Sequence, residues 1–508
     1  MGQYGGLRLE RKVNRSRIRR YVAEFIRRFT GHAFVVGLVS AFWYLLMTGR
    51  KPSRAAYPCQ IVARANGEIW LATYIIPVLT FLPKEVSKLT ERRNLIILVS
   101  LLLIMSGAGW WYLSLQSSES SEESDVGSSL TGRLASLFPA SDIFVVSGTT
   151  GDDDGVERLV ELMGSCGTPF YISGGQGRSS GPGGLIASDD VVLFKVNCQW
   201  DERGGTNTDL VKSLIQAILN HPDGFNGEVV VADNGQRQYG SGGSGGSLDW
   251  ALNNAVDASQ SIQNVVDSFA QGNRVSTYLW DEITTTRVGE YSDGDIRDGY
   301  VVNATANPRT GIMVSYPKFR TQHGTYISFK HGVWDPETGT YDGGSLKVIN
   351  VPVLKTHIIY GVTACVKHYM GVPSDRLTAG LGSRTHDTIG DGGMGTLMVE
   401  TRFPSLSILD AIWVNAQLGS QVGPSTPYQR ATRVEVIAAS TDPVALDHWA
   451  SKHILMETTL EGDKSTIDPN SVRAGSFGEW LRLSMVEIVT AGYQATVDEE
   501  RMNVYVSK

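Results

Sequence analysis

The chain has 508 residues, a net charge of −7 and only four cysteines. This length is too great for one ordinary domain and predicts roughly three parts of about 150 residues each. Basic residues crowd the first hundred positions and an apolar segment follows the stretch 8–28, which favours the flank of a membrane segment over a nucleic-acid surface. No nucleic acid is therefore expected among the partners.

The first part of the chain is predicted to cross a membrane. Residues 1–31 form a basic cytoplasmic N-terminus, and a transmembrane region follows at 32–114. A helix needs about 20 mainly apolar residues to span a bilayer, so about three spans are predicted, the middle one weak. The three apolar segments are 32–47, 69–82 and 94–113.

The side of the membrane follows from the distribution of Lys and Arg, which stay in the cytoplasm. Basic residues precede the first span and recur in the loop 84–93, whereas none lies between Leu113 and Arg133. Three spans therefore place the large domain outside the cytoplasm, at the cell membrane. The basic loop 49–54 argues against this orientation, and if 69–82 does not span, the domain faces the cytoplasm.

A Ser- and Glu-rich linker at 115–140 leads to a large domain at 141–508. Within this domain, apolar runs alternate with helical patterns. Strands that are apolar on both faces and separated by helices indicate an α/β fold with a mainly parallel sheet and helices on both faces. The predicted strands are 143–146, 190–196 and 228–232, and the predicted helices are 155–163 and 208–219.

Three segments of the large domain depart from this pattern. Residues 284–341, rich in Val, Tyr, Thr and Asp-Gly turns, predict a β-rich insertion. Residues 235–246 are Gly- and Ser-rich but have no Walker lysine, which favours a flexible surface loop over a phosphate-binding loop. Residues 385–395 are again Gly-rich and are predicted as a mobile loop that covers the site.

Two motifs stand out in this domain, Pro-x-Leu-Lys-Thr-His at 352–357 and Thr-x-x-x-Lys-x-x-x-Gly at 363–371. With further matches at 191–197, 229–235 and 440–447, they resemble the domain of unknown function 362 (DUF362) family. It implies a site at Lys355, His357 and Lys367. Many members of the family carry a ferredoxin module, which makes a separate iron–sulfur redox subunit one interpretation of the partner.

The cysteines do not provide such a cluster themselves. None of them stands in a Cys-x-x-Cys pair, and ferredoxin-type ligation needs closely spaced thiolates. No iron–sulfur cluster is therefore expected in this chain, and isolated thiols and a disulfide both remain open. The four residues are Cys59, Cys166, Cys198 and Cys365.

Polar side chains at the ends of three predicted strands are expected to meet. The carboxyl ends of parallel strands lie at one edge of the sheet, where open α/β sheets bind ligands. Lysines that share a crevice lower one another's pKa or bind an anion, and imidazole titrates near neutral pH. The predicted catalytic residues are Lys195, Lys355, His357 and Lys367, and the predicted substrate-binding residues are Asn197, Asp233, Thr356 and His368.

A metal site and three aspartates complete the predictions. His357, His368 and His386 are a candidate ligand set for a first-row divalent metal, although their spacing matches no compact motif. Asp442 is expected to cap a helix that begins at Pro443. Asp410 and Asp447 have apolar neighbours and are expected to hold a lysine in a buried salt bridge.

These features favour a membrane-anchored, extracytoplasmic protein that acts on a small anionic substrate by Lys/His acid–base chemistry, with or without a metal. The alternative is a cell-surface binding or assembly module in which the lysines only hold a ligand. An enclosed cleft favours the enzyme, whereas a flat, exposed basic patch favours the module.

Overall fold

The computed structural model describes residues 139–175, 177–236, 245–418 and 425–508. The chain divides at Asp125/Val126 into two units, and all described residues belong to the second. The predicted basic N-terminus, the three predicted spans and nearly all of the predicted linker therefore lie outside the described residues. Within the described ranges, no helix is long and apolar enough to cross a membrane.

The three predicted strands and the two predicted helices are all present, in the predicted order. The strands are β1 Ser141–Ser147, β2 Tyr171–Ile172, β3 Ser180–Gly181, β4 Val191–Lys195, β5 Glu228–Asp233, β6 Val275–Leu279, β7 Gly299–Val302, β8 Ser315–Arg320, β9 Tyr326–Ser328, β10 Gly332–Asp335, β11 Thr340–Asp342, β12 Leu346–Asn350, β13 Val353–His357, β14 Gly361–Thr363, β15 Leu406–Asn415, β16 Thr432–Ser440 and β17 Met502–Ser507. The helices are α1 Gly155–Ser165, α2 Thr208–Leu219, α3 Ile262–Ala270, α4 Cys365–His368, α5 Asp375–Ala379, α6 Gly393–Glu400, α7 Pro443–Ala450, α8 Met456–Thr458 and α9 Phe477–Thr490.

The main sheet of the described domain has ten strands. Its order is β17-β1-β16-β15-β12-β4-β5-β6, and β13 and β14 extend it beside β15. All neighbours from β15 to β6 are parallel, whereas β16 runs antiparallel to β1 and β15. The predicted α/β fold with a mainly parallel sheet is confirmed.

The sheet is buried on both faces, which explains why its strands are continuously apolar. Successive side chains of a strand point to opposite faces. In β4, Val191 and Leu193 pack into one core with residues of α6, α7 and α9. Val192 and Phe194 pack into a second core with residues of α1, α2 and α3. Each face of the sheet is therefore covered by helices.

The local sequence indicates both where α2 begins and which of its faces is buried. The helix spans Thr208–Leu219, and Asn207 caps it by accepting a hydrogen bond from the Leu210 amide. Its apolar residues recur at helical spacing, and the stripe that contains Leu214 and Ile218 is buried. Capping and amphipathic spacing both identify this helix from sequence.

A second sheet is formed by β7 to β11, within the segment that begins in the predicted insertion and ends at Asp342. Its strands are antiparallel, in the order β11-β10-β9-β8-β7. Phe319 and Ile327 of this sheet belong to the same core as Leu193. The small sheet is therefore packed into the α/β domain rather than standing apart from it.

The main sheet opens where β12 continues into β13. Only Val351 and Pro352 separate these strands, and proline cannot donate a hydrogen bond to a neighbouring strand. β12 is paired with β4 as far as Asn350 and Lys195, while β13 remains beside β15. Because β4 ends at Lys195, a gap forms between β13 and the ends of β4 and β5.

The segment 385–395 is not the predicted mobile loop. Residues Thr385–Asp391 form a 3-10 helix, and α6 begins at Gly393. The glycines allow close packing: a β-carbon at Gly392 would lie 2.8 Å from the Leu483 backbone, and one at Gly395 would lie 2.3 Å from the Ser484 carbonyl oxygen. The segment is therefore held against α9.

Candidate functional site

A pocket of about 310 Å³ lies in the gap between β13 and the ends of β4 and β5. We call it the lysine pocket. It brings together seven of the eight residues predicted to be catalytic or substrate-binding. These are Lys195, Asn197, Asp233, Lys355, His357, Lys367 and His368.

Strand topology explains this convergence. β4 ends at Lys195, and β5, its parallel neighbour, ends at Asp233. β13 carries Lys355 and His357 two positions apart, so both side chains lie on the same face of the strand. Thr356 lies on the other face and donates a hydrogen bond to the Gln417 carbonyl at 2.6 Å. Thr356 is thus the one predicted substrate-binding residue that does not line the pocket.

Lys195 forms the buried floor of the lysine pocket. Its ammonium group donates to Asp233 Oδ1 at 2.6 Å and to the Val196 carbonyl at 3.1 Å. His368 Nε2 lies 3.0 Å from the same nitrogen. Three polar atoms thus surround the Lys195 nitrogen at hydrogen-bonding distance. Lys195 is therefore suited to hold its neighbours in position rather than to take a ligand.

Burial acts on both members of this ion pair. It lowers the pKa of Lys195 and raises the pKa of Asp233, in each case against the stabilising charge of the partner. Asp233 Oδ2 also accepts the Cys198 amide at 2.8 Å. A β-carbon at Gly371 would lie 2.4 Å from Lys195 Nζ, so the pair requires glycine at that position.

His368 is fixed in position through both ring nitrogens. Asn350 donates its side-chain amide to the Cys365 carbonyl, so Asn350 Oδ1 is the acceptor for His368 Nδ1 at 2.7 Å. Nε2 lies 3.0 Å from Lys195 Nζ and 2.9 Å from the Val196 carbonyl oxygen. Burial, followed by the charge of Lys195, holds the pKa of His368 well below 6.5.

Lys355 is buried and has no carboxylate partner among the described residues. Its side chain is 1% exposed, and its nitrogen donates to the Gly204 carbonyl at 2.7 Å. Burial, followed by the positive charge of Lys367, lowers its pKa from 10.5 to about 7. A substantial fraction of this amine is therefore neutral at physiological pH.

Lys367 projects from the short helix α4. It is 7% exposed, and among the described residues it forms no hydrogen bond or ion pair through its nitrogen, which lies 5.8 Å from the centre of the Tyr360 ring. Burial lowers its pKa to about 8. At neutral pH Lys367 is therefore mainly protonated, in contrast to Lys355.

His357 presents an N–H group to the pocket. Its Nδ1 accepts hydrogen bonds from the Ile359 and Tyr360 amides at 3.1 and 3.2 Å. The proton of the neutral ring therefore lies on Nε2. Burial, then the charges of Lys367 and the neighbouring basic groups, hold the pKa of His357 well below 6.5.

Two further basic side chains, Arg384 and His386, complete one wall. Burial, then the charge of Lys367, lowers the pKa of His386 to about 3. The Tyr360 hydroxyl donates to the His386 carbonyl at 2.7 Å. Arg384, which directly precedes the segment 385–395, lines the pocket, and its Nε lies 3.7 Å from Asp375 Oδ2.

Asp447 positions α4 rather than a lysine. Its two oxygens accept the Cys365 and Val366 amides at 2.6 and 2.9 Å, at the first turn of the helix. Burial raises its pKa to about 7. The predicted salt bridge to a lysine is therefore wrong for Asp447. Because α4 also carries Lys367, this carboxylate fixes part of the pocket from α7.

The other two predicted aspartates have different outcomes. Asp442 caps α7 as expected, accepting the Val444 and Ala445 amides at 2.9 and 3.0 Å. Asp410 accepts the Asn207 amide at 2.8 Å and forms no ion pair with a lysine among the described residues. The salt-bridge prediction is thus wrong for Asp410 as well.

The structure does not support the predicted metal site. His368 has both ring nitrogens engaged in hydrogen bonds, and the rings of His357 and His386 lie 6.4 Å apart. No group of three or more His, Cys, Asp or Glu side chains in the described ranges is arranged to hold a metal ion. Cys166, Cys198 and Cys365 are free thiols, and Cys59 lies outside the described residues.

Several lining residues were not among the predicted site residues. Thr363 is the most informative: it faces Lys355 across the β13–β14 pair, and its hydroxyl is buried without a hydrogen-bond partner among the described residues. Trp200 Nε1 is likewise buried without a partner in the described ranges. The further lining residues that were not predicted are Gln199, Asn234, Gln236, Met370, Gly371 and Arg384.

Comparison with known proteins gives one match. Residues 345–452, less than half of the chain, match the sequence model of a family described as Domain of unknown function (DUF362). No curated protein and no solved structure matches the chain. The matched segment contains Lys355, His357 and Lys367, but not Lys195 or Asp233. The similarity therefore supports the DUF362 resemblance of the segment that provides the unpaired lysines, and it assigns no reaction to them.

Proposed function

We propose that the lysine pocket binds a small anionic molecule and acts on it as an enzyme, with lysine and histidine side chains as acid and base. One observation carries this proposal. Lys355 and Lys367 are buried in the same pocket, and neither has a carboxylate partner among the described residues.

The charge of the pocket wall supports an anionic ligand. Among the described lining residues, Asp233 is the only carboxylate, and Lys195 already neutralises it. The charges that remain are those of basic side chains. Burying an unpaired cation is costly, and an anion bound beside Lys367 and Lys355 would remove that cost. Binding and the relief of buried charge are therefore coupled.

The two lysines have different parts in this proposal. Lys367, with a pKa of about 8, remains charged at neutral pH and holds the anion. Lys355, with a pKa of about 7, exchanges a proton with the ligand, since acid–base catalysis is most effective when the pKa lies near the working pH. His357 donates a hydrogen bond from Nε2, and Lys195 positions the floor.

Enclosure favours an enzyme over a cell-surface binding or assembly module. A module that recognises acidic partners needs charges that the partner can reach on an open surface. Here Lys355 is 1% exposed and Lys367 is 7% exposed. Amines that are removed from solvent in this way have altered pKa values, which is typical of catalytic positions.

We also propose that the chain is attached to the cell membrane through 32–114, with the described domain outside the cytoplasm. This proposal rests on the apolar segments and on the distribution of Lys and Arg. Protease treatment of intact cells tests it. Cleavage of the domain without lysis supports the orientation, and protection of the domain until lysis contradicts it.

Anion-dependent thermal unfolding of the full-length chain tests the proposed ligand class. Lactate, acetate and phosphate serve as probes for wild type, Lys355→Met and Lys367→Met. A ligand present at ten times its Kd stabilises the folded state by about 1.4 kcal/mol. Lys212→Met is a matched control, because Lys212 is an exposed lysine on α2.

The expected result is stabilisation of wild type and Lys212→Met by at least one of the anions, with a much smaller effect in Lys367→Met. The midpoint of thermal unfolding without anion shows whether each variant is folded. Equal stabilisation of all four proteins, or of none, would show that the lysine pocket does not bind small anions.

A further inference from the structure

The two unpaired lysines differ in a way that simple anion binding does not explain. A site that only holds an anion is best served by lysines that are charged. Lys355 is instead almost completely buried, lies beside a second cation, and donates its one observed hydrogen bond to a backbone carbonyl. An amine placed in this way is favoured in its neutral form, which is a nucleophile.

The side chains around Lys355 are arranged for a carbonyl group. His357 lies on the same face of β13 two residues later and presents an Nε2–H donor. Thr363 is opposite Lys355 on β14, so their side chains are neighbours on one face. The Thr363 hydroxyl is buried and has no partner in the described structure. Two hydrogen-bonding groups therefore stand next to one amine.

We infer that Lys355 forms a covalent imine with a small carbonyl compound that carries an anionic group, of the 2-oxo acid type. This inference rests on the proposed function, because Lys367 supplies the charge that holds the acid group. The pocket of about 310 Å³ has room for such a molecule.

The step balances without a further reagent. The neutral Lys355 nitrogen forms a bond to the carbonyl carbon, and the carbonyl π electrons move to oxygen, which takes a proton that the nitrogen loses. The C–O bond then breaks, and the oxygen leaves as water with the second amine hydrogen. The resulting imine takes one proton from solvent and becomes an iminium cation.

The neighbouring groups act on the oxygen throughout this step. The His357 Nε2–H and the Thr363 hydroxyl donate hydrogen bonds to the oxygen as negative charge develops there. His357 is held as the Nε2–H tautomer by two backbone amides, so it remains a donor. Lys195 is excluded as the nucleophile because its nitrogen is held in a buried ion pair with Asp233.

Reductive trapping tests this inference on the full-length chain. The protein is incubated with pyruvate and cyanoborohydride at pH 7, digested with trypsin and analysed by mass spectrometry. Hydride from the reagent converts the iminium to a stable secondary amine on the lysine. Lactate, which has the same acid group but no carbonyl, and acetone, which has the carbonyl but no charge, are the matched probes.

The expected result is a pyruvate adduct at Lys355 that exceeds the adduct at the exposed Lys212 by at least about tenfold, since far more of the low-pKa amine is neutral at pH 7. Acetone should label Lys355 less than pyruvate does, and Lys367→Met should remove that difference. Wild-type labelling alone gives the main result, so the inference remains testable if a variant does not fold.

The failures of the two proposals can be distinguished. In the first case Lys355 is labelled no more than Lys212, or not at all, while lactate stabilises wild type and Lys367→Met removes that stabilisation. This result overturns the inferred imine and leaves the proposed anion site intact. Even or absent labelling without any anion-dependent stabilisation overturns both. Selective labelling of Lys195 in place of Lys355 would also contradict the inference.

Discussion

Replacing Lys355 with methionine removes a buried amine but keeps most of its apolar stem. The pKa of this amine falls from 10.5 to about 7 through burial and the charge of Lys367. Because each pKa unit corresponds to about 1.4 kcal/mol, the protonated amine costs the folded state on the order of 5 kcal/mol. Lys355→Met removes this cost and so stabilises the folded state. Loss of the hydrogen bond to Gly204 opposes that stabilisation by about 1–3 kcal/mol.

The sign of the pH dependence follows from proton binding. Between about pH 7 and pH 10.5 the unfolded chain binds the Lys355 proton more tightly than the folded chain does. Stability rises with pH wherever the unfolded state binds more protons. Wild type should therefore gain stability relative to Lys355→Met by on the order of 3 kcal/mol from pH 7 to pH 10.

Urea unfolding of the full-length proteins measures this difference. Wild type and Lys355→Met are compared at several values between pH 7 and pH 10, with tryptophan fluorescence as the signal. Lys212→Met, which replaces an exposed lysine, should show a difference from wild type that is flat over this range. A flat difference for Lys355→Met as well would refute the argument that Lys355 is a buried amine with a lowered pKa.

Three other substitutions have defined outcomes. Gly371→Ala places a methyl group 2.4 Å from Lys195 Nζ, so the free energy of unfolding in urea should fall by about 1–3 kcal/mol. Gly380→Ala is the control, because its nearest contact would lie at 3.5 Å. Equal losses in the two variants would contradict this packing argument. Asp447→Asn weakens the two hydrogen bonds from the backbone amides at the start of α4. The affinity for an anion at Lys367 should therefore fall several-fold in a titration. An unchanged affinity would show that Asp447 does not position the helix. Asp442→Ala removes the cap of α7 and should lower the free energy of unfolding by about 1–2 kcal/mol, whereas an unchanged value would mean that the cap is dispensable.

The central sheet could be predicted because its strands and helices have strong local patterns. Glu228–Asp233 is apolar apart from its two end residues and lies entirely within the buried part of the sheet. Thr208–Leu219 has both a cap and an amphipathic stripe, and its predicted and observed limits agree. Convergence of Lys195, Asp233 and Lys355 then followed from the rule that parallel strands end at the same edge.

The segment 385–395 could not be predicted from its glycines. Glycine serves both mobile loops and close packing, and the sequence does not distinguish these uses. Here the decisive neighbours, Leu483 and Ser484, lie far away along the chain. The same limit applies to Asp447, whose partners on α4 are about 80 residues earlier, so the burial of this acid was predictable but its role was not.

Within the site, one error was avoidable and one omission was not. Alternation along a strand places Thr356 opposite to Lys355 and His357, so the sequence already indicated that it faces elsewhere. The importance of Thr363 depends instead on the pairing of β14 with β13. Thr363 opens the motif at 363–371, but the motif does not show that this threonine lies opposite Lys355.

Calorimetric titration of lactate into the full-length chain tests the central claim most directly. If the anion binds between Lys355 and Lys367, it raises the pKa of these amines, so binding near pH 7.5 takes up a proton. Titrations in buffers of different ionisation enthalpy measure that uptake. We expect an uptake of up to about one proton for each bound anion, reduced in Lys355→Met and unchanged in Lys212→Met. Binding without proton uptake, or identical uptake in Lys355→Met, would contradict the proposed site.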